Sequence, residues 1–81
     1  MGKANLIRAV EAAQNGDWHA AHNIAQDYNN DTAYWLHAVL HKIEGNETNS
    51  RYWYAKTLNK RYEDYSDGFM ELTAMMQSLS Q

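Results

Sequence analysis

His37, His41 and Glu44 stand at i, i+4 and i+7, so on a helix their side chains share about 60° of arc. His22 and Gln26, one turn apart, make a second polar pair upstream. Neutral imidazole nitrogens and a carboxylate are donors that suit zinc, iron or nickel, and a His pair at i, i+4 can reach one ion. The H-E-x-x-H arrangement of helical metal sites is missing, because Ala38-Val39-Leu40 separate the two histidines. The same residues can instead be satisfied core polar groups. Each ring nitrogen would then donate to a carbonyl, Glu44 or Gln26, or accept from a tyrosine hydroxyl. The sequence favours this hydrogen-bonded network over a divalent metal site, and both over acid–base catalysis. His19 falls off the apolar face and is expected in solvent.

Little else in the chain suggests chemistry. It has no Gly-rich phosphate loop, no serine in a nucleophile elbow and no paired-carboxylate signature, so an enzyme is not expected. It has no cysteine, which excludes disulfides, thiol catalysis and Cys-ligated zinc and fits a reducing compartment. No cofactor is implied beyond a divalent metal. A net charge of −3 argues against non-specific nucleic-acid binding, which needs a basic surface. The basic block Arg51, Lys56, Lys60 and Arg61 is balanced by Glu63, Asp64, Asp67 and Glu71, as on a solvated helix face. Leu6 and Ile7 are too few for the apolar core of a signal peptide, and no run approaches the roughly 20 apolar residues that span a bilayer. A cytoplasmic protein without membrane contact is expected.

The elements that must position the histidines are helical. With no proline in the chain, nothing interrupts them. Residues 31–44 place Ala33, Leu36, Val39, Leu40 and Ile43 on one face, with Asp31 as N-cap and Gly45 as the left-handed terminator. After the Gly45-Asn46 turn, helical periodicity is expected to run from 49 to 62, with Ser50, Trp53, Tyr54, Thr57 and Leu58 on a shared face. Upstream, residues 3–15 carry Leu6, Ala9, Val10 and Ala13 on one side. Asn15-Gly16 ends that helix and Asp17 caps the next, over 17–28, which presents Trp18, Ala21, Ile24, Ala25 and Tyr28. A last helix from about Asp67 aligns Phe69, Leu72, Met75, Met76 and Leu79. The reading is one all-α domain over 1–81 of about five helices: antiparallel hairpins at 3–28 and 31–62, and a capping helix at 67–80.

Aligning Gly16 with Gly45 places Ala9 over Ala38, Asp17 over Asn46 and Ala21 over Ser50, so small residues recur where helices cross. On these residues the chain resembles the tetratricopeptide repeat, and Tyr52-Trp53-Tyr54-Ala55-Lys56 resembles the related Sel1-like repeat. In the second half Tyr34 stands at the family's tryptophan position, Ala38 at the small one, Gly45-Asn46 at the turn, Ser50 at the alanine and Tyr54 at the aromatic. His37 and His41 replace the leucine and the tyrosine. The spacing of 29 residues between turn glycines is shorter than the family's roughly 34, and the closing proline is missing. The pattern W-x-x-A-H, then W-L-H-A-x-L-H-x-x-E-G, then Y-W-Y is also similar to short bacterial all-helical proteins of no assigned function.

The repeat resemblance implies a non-catalytic protein-interaction module. Two repeats bury little, so the last helix must cap the stack or pair with another copy as a homodimer. Tyr34, Trp35 and Met70 are the candidate contacts for a protein or peptide partner. Trp35 lies off the main apolar stripe, either on a second packing face or as an exposed hot spot. Met70 also lies off its stripe and suits an adaptable apolar surface. The alternative is a small metal-binding protein, or a metal-dependent enzyme, using His22, His37, His41 and Glu44.

Overall fold

In the computed structural model, which describes residues 2–81, the chain is all-helical. It has five α-helices among the described residues: α1 (Gly2–Gln14), α2 (Trp18–Ala25), α3 (Asp31–Ile43), α4 (Glu47–Tyr54) and α5 (Gly68–Leu79). A single 3-10 turn lies at Tyr62–Asp64. Helices α1 and α2 pack as one hairpin and α3 and α4 as another, while α5 lies against α1 and α3.

Both hairpin corners turn on a left-handed glycine, Gly16 at φ +86° and Gly45 at φ +85°, a conformation that a Cβ disfavours. The residue after each glycine closes the corner twice. Its amide donates back into the preceding helix, Asp17 to Ala12 and Asn46 to His41. Its side chain accepts from the next helix, Asp17 from the Ala20 amide and Asn46 from the Asn49 amide. The cap of α3 differs from the sequence expectation. Asn30, not Asp31, accepts from Ala33 N, and Asp31 Oδ1 instead accepts from the distant Leu58 amide at 2.7 Å. Asp67 caps α5.

Helix α3 is the axis of the molecule. It touches α1, α2, α4 and α5 and is buried at Ala33 and without a break from Trp35 to His41, so its apolar surface is not one stripe but nearly the whole cylinder. Alanines 9, 13, 21, 25, 33 and 38 let the helices close in around Leu36, Leu40, Leu72 and Met75. Two side chains bond carbonyls of α3 directly. Trp18 Nε1 donates to Leu40 O at 2.7 Å from α2, and Ser50 Oγ to Ala38 O at 2.6 Å from α4.

Helix α4 ends at Tyr54 and not near residue 62. The Thr57 hydroxyl donates to Tyr54 O at 2.7 Å and accepts from Lys60 N at 3.1 Å, so a local side-chain bond takes over from the helix ladder. Leu58, expected on the buried face, is 88% exposed in consequence. Helix α2 likewise stops at Ala25, with Gln26 as its C-cap.

Candidate metal centre

Helix α2 carries Trp18 and His22 one turn apart, α3 carries His37 and His41 one turn apart, and α4 supplies Trp53. Packing α2 and α4 on α3 brings the three imidazoles together, with one ligand nitrogen from each of His22, His37 and His41 within 4.8 Å of the others. The rings form a stack bounded by indoles. Trp18 lies parallel to His22 with centroids 4.8 Å apart, and Trp53 lies parallel to His37 at 3.8 Å. His22 meets His37 edge-on at 4.5 Å, and His37 stacks on His41 at 5.0 Å.

Of the three rings, His41 is the one held by a side-chain hydrogen bond, its Nδ1 donating to Glu44 Oε1 at 2.5 Å. That bond puts the proton of neutral His41 on Nδ1 and leaves the lone pair on Nε2. His22 and His37 are held by their faces. The hydrogen-bonded network expected from the sequence is therefore realised at one ring of three. No fully buried side-chain nitrogen or oxygen among the described residues lacks a partner, so the nitrogens of His22 and His37 lie where solvent can reach them. Gln26 does not join: it is exposed at the end of α2. Glu44 does join, from the C-cap of α3. His19 is exposed, with its ring edge against Trp18.

The electrostatics favour the neutral form of His22 and His37. Burial is the largest cause holding His37 down to about 4, and the neighbouring His22 and His41 add to it. His22 is also lowered, first by burial and then by His41. Neutral imidazoles converging on one point are metal ligands in their binding form.

A second polar centre went unrecognised in the sequence. Glu71 of α5, 1% exposed, accepts from Trp35 Nε1 at 2.7 Å, from Tyr54 OH at 2.8 Å and from Lys42 Nζ at 2.8 Å. Lys42 spends its other two donors on the carbonyls of Tyr62 and Tyr65 and lies over the rings of Tyr54 and Tyr62. Burial, together with the bond to Glu71, raises the Tyr54 phenol well above the ordinary tyrosine range. Sequence pattern offers no sign that a lysine and a glutamate 29 positions apart will be buried together. Trp35 is thereby corrected. It is 6% exposed, placed on the second packing face and not on a partner-binding surface, because its indole N–H has an internal carboxylate. Tyr34 is half-buried beside Trp53, and Met70 is 63% exposed.

No helix among the described residues is long and apolar enough to cross a membrane. Comparison of the chain with models of known protein families, with curated proteins and with solved structures finds no match.

Proposed function

We propose that this chain is a small metal-binding helical protein that holds one zinc-class divalent ion on His22, His37 and His41, with Glu44 as the carboxylate that orients His41. The convergence of three imidazole nitrogens within 4.8 Å carries this reading. A tetrahedral ion with bonds of about 2.0–2.1 Å holds its ligands about 3.3 Å apart, so ring rotations and small helix shifts suffice to close the site. Three neutral nitrogens select zinc, nickel or copper over calcium and magnesium, which take oxygen ligands. The Glu44–His41 pair is the usual carboxylate support of a ligating histidine. A chain without cysteine can hold such an ion in a reducing, cytoplasmic setting without thiolate ligands. The ion would clamp α2 to α3, and the protein is read as a binding module and not an enzyme.

Equilibrium dialysis of the untagged protein against zinc tests this. One ion per chain is expected, lost in His22→Ala and in His41→Ala, with a melting temperature that rises with zinc in the wild type alone. Substoichiometric binding that these variants leave unchanged would refute it.

Exposure of Met70 and of its neighbour Phe69, 48% exposed, favours a second reading. In it the helical hairpins, in the manner of tetratricopeptide or Sel1-like repeats, form an interaction module whose contact surface is the start of α5. Light scattering and partner capture with Met70→Asp test it. A monomer that captures the same proteins with and without the substitution counts against it.

A further inference from the structure

Beside α5 an open cavity of about 440 Å³ is lined by Trp35, Lys60, Asp64, Tyr65 and Glu71, among others. Trp35 is part of its lining, and Lys60 Nζ lies over the Trp35 ring, 4.2 Å from the centroid. We propose that this cavity binds a small alkylammonium ion, which takes the place of the Lys60 ammonium on the face of Trp35.

Four observations support the proposal. First, the indole N–H donates to the Glu71 carboxylate at 2.7 Å. This raises electron density on the ring, and tryptophan already offers the best aromatic face for a cation. Second, the charges lining the cavity leave room for a cation. Glu71 is answered by Lys42 at 2.8 Å. Once Lys60 swings out, Asp64 is the remaining unburied carboxylate of the lining: its Oδ2 accepts from the Arg61 amide at 3.0 Å, while its Oδ1 lies 3.8 Å from the Arg61 guanidinium. Third, the Lys60 ammonium is not held by an anion. No carboxylate among the described residues pairs with it, so its contact is the ring and its displacement breaks no ion pair. Fourth, the backbone at Lys60 is pinned by its amide, which donates to Thr57 Oγ1 at 3.1 Å. The side chain can leave while the turn stays.

An ammonium that sheds water easily gains most at such a face, so tetramethylammonium is the probe of choice. Tyr65 also lines the cavity.

The test is a titration of tetramethylammonium into the chelator-treated full chain, followed by the indole N–H resonance of Trp35. The wild type should bind weakly. Lys60→Ala, which removes the internal competitor without touching the Thr57 bonds, should bind about fivefold tighter, the worth of one cation–π contact. Asp64→Asn in that background should weaken binding. Neopentyl alcohol, an uncharged molecule of similar shape, should leave the resonance in place. A Trp35 resonance that tetramethylammonium does not move in Lys60→Ala overturns the proposal. So does equal affinity for the uncharged isostere, which would make the cavity merely apolar. Neither result depends on the histidine centre, which lies on the α2 side of α3.

Discussion

At the scale of single residues, the molecule contains two opposite solutions to burying polar groups next to α3. Lys42 and Glu71 are buried as a charged pair with every donor and acceptor used. Such a pair adds little net stability, but losing one partner strands a buried charge. Glu71→Gln should therefore cost about 3–5 kcal/mol in urea unfolding, while adding Lys42→Met to it should recover a large part. If the double variant is as unstable as the sum of the two singles, the pair is not coupled in this way. Of the histidines, His41 is the one with a side-chain hydrogen bond, and burial favours the neutral form of His22 and His37, which leaves these two available to an ion. Glu44→Gln should weaken zinc binding about 10–100-fold while leaving the stability of the metal-free chain nearly unchanged. These two centres differed in legibility. The histidine spacing and the Glu44 position could be read from the helical period, and so could His22 on a neighbouring edge. The indole walls could have been, since Trp18 is one turn from His22. Lys42 and Glu71 could not, because partners that meet through tertiary packing leave no local period.

At the scale of elements, glycine and polar caps decide where helices stop and how closely they approach. The two corners were legible because a left-handed glycine followed by Asp or Asn is a local signal. The end of α4 was not. There the helical period continues past Tyr54 through Thr57 and Leu58, and a threonine hydroxyl overrides it. The start of α5 depends on Gly68, whose added Cβ would stand 2.5 Å from Ile43 Cγ1. Because that atom belongs to a branched side chain wedged between helices, Gly68→Ala should destabilise by about 1–3 kcal/mol and detach α5 first. Hydrogen exchange should show α5 amides losing protection ahead of α3. Uniform loss across the chain would mean that α5 is not separately anchored at this point.

At the scale of the whole molecule, a chain this small has a modest core, so the state of the histidine cluster should register in global stability. The folded pKa of His37 is depressed to about 4 from 6.5. The unfolded chain therefore binds a proton that the folded chain refuses as pH falls through this window. Stability should be complete above about pH 6.5 and decline toward pH 4, by about 3 kcal/mol from His37 alone, with His22 acting in the same direction. His37→Phe should flatten that decline, and an unchanged slope would contradict the assignment. Zinc and protons compete for the same nitrogens, so acid should also release the ion. The most direct test is a long-range ¹H–¹⁵N spectrum of the imidazoles with one equivalent of zinc. The account predicts that His22, His37 and His41 take on metal-bound nitrogen shifts, while the nitrogen shifts of the exposed His19 are unmoved by zinc. Four rings whose nitrogen shifts are the same with and without zinc would contradict it.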